Sequence, residues 1–422
     1  MSTTSVRTVQ LDDALFRTDC PNGLVVVTEH LAGVRSAAAG IWVRTASGHE
    51  PRARMGVSHL LEHMVFKGTE RRTARDIAIS LESRGGSLDA FTSRDYTSYQ
   101  AHVLDADLPL ALDVLSDLVR EPLLREADLV LERNVVLEEI NGVHDTPDDL
   151  VFDLFSETLY PDHSYGFPIL GTAETVAALG TDDLREVHQG GYYPGNCVVA
   201  VAGHVSHEAV LTMLDALGWL EGERRAARNI VGTAAAVRGV TRIEARASQQ
   251  VHAVMGTDSV TATDPRRWGL AVITTVLGGG MSSRLFQRIR EELGLCYAVS
   301  AFHSTYRAGG LFGVYVGTQP GTADKAIAAI HDELREMATN GLTAEDLNDG
   351  RGQLKGQLML GLESTVGRMN RLAAHVLQDE NYRSLDEVIR LVDAVTLDDA
   401  AQLAAEFLPP ERMTMVRLGP SR

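Results

Sequence analysis

The stretch TDDLREVHQGGYYPGNCVVAVAG, Thr181–Gly203, returns near the end of the chain as TLDDAAQLAAEFLPPERMTMVRLG, Thr396–Gly419. At an offset of 215 and without a gap, Thr181 meets Thr396, Asp183 meets Asp398, Pro194 meets Pro409 and Val199 meets Thr414. Both copies read as an N-capped amphipathic helix, an aromatic-proline break, and a β-rich strand ending near glycine. Just upstream, TAETVAALG (172–180) and DEVIRLVDAV (386–395) are both short helical patterns. A fainter pair, Met55-Gly56-Val57 and Trp268-Gly269-Leu270, opens apolar helices at an offset of 213. Self-similarity at half the chain length is the mark of a duplication. The reading is an N-terminal half at 1–220, a linker at 221–241 and a homologous C-terminal half at 242–422. The linker is polar, Ala/Gly-rich and aperiodic.

Inside the halves, Leu24–Glu29, Ser36–Arg44, Leu88–Ser93 and Thr97–Leu104 alternate like strands. Helical periods occupy Asp107–Val119, Glu126–Gly142, Ala323–Met337 and Ala344–His375. Strands arrive in neighbouring pairs and helices in separate runs. That predicts an α+β fold, each half a β-sheet with helices packed mainly on one face, rather than a βαβ parallel sheet.

The chain has 422 residues with 39 Lys plus Arg against 57 Asp plus Glu, a net charge of −18. Such a surface excludes nucleic acid as a partner, because phosphates need a basic face. It fits either a solvated surface or an attractor for basic partners. Met1–Asp12 lacks the cationic-then-apolar build of a secretory signal. No run approaches the roughly 20 apolar residues of a membrane span. Cys20, Cys197 and Cys296 are odd in number and far apart. They make no disulfide framework and no metal-ligand spacing. The expectation is a cytoplasmic protein with no membrane partner.

Chemistry concentrates in His59-Leu60-Leu61-Glu62-His63, inside MGVSHLLEHMVFKG. Positions four apart on a helix face the same way, so the two imidazoles stand one turn apart. That pair suits a tetrahedral zinc. Glu62 can then reach a water held there without being a ligand. The order H-x-x-E-H is the inverzincin pattern. Taken alone, the string also fits two structural histidines on an apolar helix. A catalytic zinc takes a third protein ligand, and ERNVVLEE offers Glu132 and Glu139, two turns apart on one helical face. Flanking Val135, Val136 and Ile140 place those carboxylates at the edge of a buried face, where an unpartnered carboxylate is costly. Glu138 reads as solvated.

HLLEHMVFKGT, followed 76 positions after His63 by Glu139 within ERNVVLEE, resembles the pitrilysin, insulin-degrading enzyme and mitochondrial processing peptidase family of inverzincin zinc metallopeptidases. The likeness covers nearly the whole chain and points to the processing-peptidase-like branch. It implies one zinc per chain held by His59, His63 and Glu139. Glu62 would be the general base and Glu132 an acid supporting the ligands from behind. LGGGMSSRLFQRIREELGLCYAVSA, Leu277–Ala301, is similar to the glycine-rich segment and Arg–Tyr pair of active members, matched here by Arg290 and Tyr297. Those two would donate to the substrate carbonyl and the oxyanion. Asp89-Ala90-Phe91 matches the family's substrate-binding strand, which usually carries Asn where this chain has Asp89. An ionised carboxylate cannot donate as an amide does, so only β-addition of an extended peptide carries over directly.

The resemblance implies an endopeptidase acting on short or unfolded polypeptides in a closed chamber, with basic peptides favoured. It also implies a homodimer whose site is completed across the interface. Against these stand a non-catalytic regulatory or scaffold subunit and a small-molecule metallohydrolase. In the alignment of the halves, His59 and His63 meet Val272 and Val276, and Glu139 falls near Leu354. The C-terminal half is therefore expected to lack a metal site. His204, His207, His252 and His303 read as loop or structural residues.

Overall fold

The computed structural model describes residues 7–228 and 232–420. Its first sheet has seven strands: β1 (Arg7–Asp12), β2 (Leu15–Asp19), β3 (Val25–His30), β4 (Ser36–Val43), β5 (Ser87–Thr92), β6 (Thr97–Leu104) and β7 (Cys197–Gly203). They lie in the order β1-β2-β3-β7-β4-β6-β5. The second sheet has β8 (Thr241–Ala245), β9 (Val251–Asp258), β10 (Ala298–Thr305), β11 (Gly310–Thr318) and β12 (Thr414–Gly419), in the order β10-β11-β9-β12-β8. The helices are α1 (Val57–Val65), α2 (Ala74–Glu82), α3 (Leu108–Arg120), α4 (Glu126–Asp145), α5 (Pro147–Leu159), α6 (Ala173–Ala178), α7 (Thr181–Gly191) and α8 (His207–Ala216). They continue as α9 (Arg267–Gly278), α10 (Ala323–Asn340), α11 (Ala344–Gly361), α12 (Thr365–Leu377), α13 (Leu385–Asp393) and α14 (Leu397–Phe407).

The duplication is visible in the sheets. Read from β3, the first runs β3-β7-β4-β6-β5, and the second runs β8-β12-β9-β11-β10. In each the first pair is parallel, β3 with β7 and β8 with β12, and the other pairs are antiparallel. The repeat that opens the sequence reading thus forms α7 with β7 and α14 with β12. The caps differ by one place: Thr396 caps α14, whereas Gly180 caps α7 and donates its N–H to the Asp183 carboxylate. The β1–β2 hairpin extends the first sheet and, among the described residues, has no counterpart in the second.

Two compact units result, and they are not the halves 1–220 and 242–422 unaltered. The first is Met1–Ile140, Pro168–Ile230 and Gly361–Tyr382; the second is Asn141–Phe167, Val231–Leu360 and Arg383–Arg422. Each unit takes one helix from the other half of the chain. In the first unit α12 packs on β7, β4 and β3, burying Met369, Leu372, Ala373 and Val376 against Val27, Ala38, Trp42 and Val198. In the second unit α5 packs on β12 and β9. Both exchanged helices cover the sheet face opposite the main helical layer. The expectation of one helix period across Ala344–His375 fails for the same reason. The chain leaves α11 at Gly361, and Ser364 starts α12 by accepting from the Gly367 N–H at 3.0 Å.

The main core of the first unit lies between the sheet and α1, α3 and α4, where Leu60, Leu61, Met64 and Val65 of α1 are fully buried. Truncating one of those leucines to alanine costs about 2–5 kcal/mol. Burial on that face leaves His59, Glu62 and His63 along the remaining side of α1. Among the described residues no helix is long and apolar enough to cross a membrane.

Candidate metal centre

The first turn of α1 is set by a close approach. Gly56, its cap residue, has φ +90°, and a Cβ there would lie 2.5 Å from the Leu170 carbonyl oxygen. Thr175 Oγ1 donates to the Met55 carbonyl at 2.9 Å, which pins the entry to the helix. From this start His59 and His63 follow at the helical spacing, their ring centroids 4.7 Å apart. On α4, Glu139 offers Oε2 at 3.7 Å from His59 Nε2 and 3.6 Å from His63 Nε2. These separations exceed hydrogen bonds but match the edge of a tetrahedron with arms near 2.1 Å, about 3.4 Å. Among the described residues, His59, His63 and Glu139 are the one group placed to hold a metal. Burial, with His63 second, pushes the His59 imidazole down to about 4, so it is neutral at neutral pH, as a ligand must be.

Glu132, two turns before Glu139, is 7% exposed and stands behind His63. Its Oε2 accepts from His63 Nδ1 at 3.2 Å, and its Oε1 meets Lys67 Nζ at 2.7 Å. That leaves His63 Nε2 directed at Glu139, the tautomer a metal needs. Glu138 is exposed, as expected. Glu62 is buried, which raises its carboxyl above the ordinary range, and the hydrogen bond from Thr92 Oγ1 at 2.5 Å pulls it back down.

Lys67 and Thr92 were not singled out in the sequence, although both had a signal there. Lys67 lies one helical turn after His63, and strand alternation puts Thr92 with Leu88 and Ala90 on the side of β5 facing α1. Asp89 and Phe91 point to the other, exposed side. The Asp89 carboxylate accepts from its own chain, the Ala90 N–H, at 2.9 Å. Among the described residues β5 pairs with β6 alone, so it is an edge strand whose outer edge has no sheet partner there.

Arg290 and Tyr297 belong to the second unit and lie together. The Arg290 guanidinium carbon is 4.9 Å from the centre of the Tyr297 ring, which is 74% exposed. The C-terminal positions matched to the ligands are apolar. Val272 is fully buried, Val276 packs against Gly350, and Leu354 lies against the same core. Of the other histidines, His207 is buried between Thr18 and Thr28, and His252 bonds Tyr315.

The family descriptions "Insulinase (Peptidase family M16)" and "Peptidase M16 inactive domain" match residues 25–173 and 178–354. The chain belongs to the peptidase M16 family. The first description covers the half with the histidines, the second most of the half whose matched positions are apolar. An uncharacterized zinc protease of Streptomyces coelicolor is 41% identical over 96% of this chain and 89% of its own. The uncharacterized zinc protease YmxG of Bacillus subtilis is 38% identical over 96% and 98%. Two crystal structures share the fold with a TM-score of 0.89 each: a peptidase M16 inactive domain from Pseudomonas fluorescens, 20% identical over 99% of this chain and 98% of its own, and a protease from Helicobacter pylori, 21% identical over 99% of both.

Proposed function

We propose that this M16 chain is a zinc-dependent endopeptidase with one zinc per chain, held by His59, His63 and Glu139. The observation that carries the reading is the meeting of those three donor atoms at metal-ligand separations beside a buried glutamate. Zinc, when bound, supplies a Lewis acid that makes water nucleophilic at neutral pH. Glu62 takes the proton of the attacking water and passes it to the leaving amine. The Thr92 hydroxyl holds the Glu62 carboxylate in place. Glu132 fixes the His63 ring through Nδ1. The outer edge of β5, along Asp89, Ala90 and Phe91, takes an extended peptide as an added strand. Arg290 and Tyr297 donate to the substrate carbonyl and to the oxyanion that replaces it.

In this reading two copies of the chain enclose a chamber, and Arg290 and Tyr297 of one serve the metal face of the other. The charge of −18 then draws in basic peptides. The cytoplasm is the proposed location. Glu62→Gln tests the core of the proposal: cleavage of a peptide library stops while zinc content stays at one per chain. Undiminished cleavage would refute it. Co-expressing Glu62→Gln with Arg290→Ala tests the shared site, since mixed dimers regain one complete site. Cleavage of Lys/Arg-rich peptides no faster than acidic ones at low salt would remove the charge preference.

A further inference from the structure

Glu50 is an acid that neither the motif nor the proposed chemistry uses, although it is only 6% exposed. It ends a short turn over Ser47–His49 and directs its carboxylate at the start of α1. Oε2 accepts from the Gly56 N–H at 2.8 Å, and Oε1 accepts from the Ser58 N–H at 2.7 Å. His59 is the next residue. The first amides of a helix have no intrahelical acceptor and ordinarily receive one from the side chain of the cap residue. Here the cap residue is Gly56, which has no side chain. The position demands glycine because of its φ of +90° and the Leu170 carbonyl 2.5 Å from a Cβ. The cap must therefore come from elsewhere in the chain, and the two oxygens of one carboxyl group reach two amides at once.

The segment bearing Glu50 is itself tied to the turn after β5. Ser47 Oγ donates to the Ser93 carbonyl at 2.9 Å, and the Gly48 N–H donates to the Arg94 carbonyl at 2.8 Å. Thr92, which holds Glu62, immediately precedes that turn. Buried Arg94 supplies positive charge near the Glu50 carboxylate.

We infer that Glu50 is a positioning residue of the metal centre. Its carboxylate locks the first turn of α1 to the β5–β6 turn, and so sets where His59 and Glu62 project relative to Thr92. The inference rests on the zinc-peptidase reading. A metal bond near 2 Å tolerates little movement of its ligands, so loosening this turn weakens metal binding.

The test measures the zinc dissociation constant by chelator competition on the full-length chain, with the thermal midpoint of the metal-free protein alongside. Glu50→Gln keeps one accepting oxygen and turns an N–H₂ toward an amide donor, so its zinc affinity falls roughly 10- to 100-fold, the range seen for supporting groups behind ligands. Glu50→Asp, which keeps both oxygens but is one methylene shorter, falls between. Ser364→Ala, which loses the α12 cap, lowers the midpoint but binds zinc as wild type does. Wild-type zinc affinity in both Glu50 variants, with a lowered midpoint, overturns the inference and leaves Glu50 a stability cap. Absence of zinc binding by the wild-type chain overturns the zinc-peptidase reading itself, and this inference with it.

Discussion

Replacing Glu132 with Gln isolates the support behind His63. The side chain is nearly enclosed and divides its oxygens between His63 Nδ1 at 3.2 Å and Lys67 Nζ at 2.7 Å. A hydrogen bond to a charged group contributes about 1.5–3 kcal/mol, which corresponds to about 10- to 100-fold in an equilibrium. The His63 bond is made in the orientation zinc requires, so its loss falls on metal affinity. The Lys67 side chain keeps 32% of its exposure and can turn to water, so Lys67→Met alone costs only a few-fold, about 1 kcal/mol or less. If Lys67 acts by holding Glu132, the double variant binds zinc no worse than Glu132→Gln alone, because the lysine has nothing left to hold. Chelator competition gives the dissociation constants, and denaturant unfolding of the metal-free proteins separates affinity from stability. Zinc affinity in Glu132→Gln within about twofold of wild type would refute the reasoning, since the expected loss is at least tenfold. Additive losses in the double variant would break the chain from Lys67 to His63.

Further expectations concern stability. Burial raises the Glu50 carboxyl to about 7, above the unfolded value near 4.5, so between those pH values the folded chain holds a proton that the unfolded chain has released. Its contribution is therefore complete below about 4.5 and is lost as pH rises through 7, on the order of 3 kcal/mol in total. Denaturant titrations of metal-free protein from pH 5 to 8 should show wild type losing stability relative to Glu50→Gln, and parallel curves would contradict the assignment. Gly56→Ala puts a Cβ on the Leu170 carbonyl at positive φ and should cost more than about 2 kcal/mol in unfolding free energy. Ser364→Ala removes the acceptor for the Gly367 N–H and should cost about 1 kcal/mol, read from the denaturant midpoint.

Much of the fold was legible because burial imposes a period. β4 and β6 were read almost to the residue: β6 alternates toward its end, and β4, buried on both faces, is a short continuous apolar run. The duplication was legible from four aligned positions, and the sheets repeat it strand for strand. The break after α11 was not: a helical pattern runs on both sides of it, and only the structure shows Ser364 capping α12 and the two helices belonging to different units. The candidate ligand group was readable because His59 and His63 share one helix and Glu139 lies within a recognisable acidic run. Lys67, Thr92 and Glu50 act through contacts between separate segments: spacing puts Lys67 one turn past His63 and Thr92 on the inner face of β5, but it does not say which carboxylate each meets, and Glu50 has no spacing signal at all.

The order of residues alone determined that two like halves exist, that one carries imidazoles and carboxylates at ligand spacing, and that the other has two valines and a leucine in their place. These are properties of periodicity and residue type, which a helix or strand expresses wherever it packs. Tertiary structure decided which helix covers which sheet, which oxygen of Glu132 meets His63, and why a buried glutamate caps a helix whose own cap residue must be glycine. Those outcomes depend on distances between segments far apart in the chain. Only close packing sets such distances, because a shift of one ångström there separates a bond from a void.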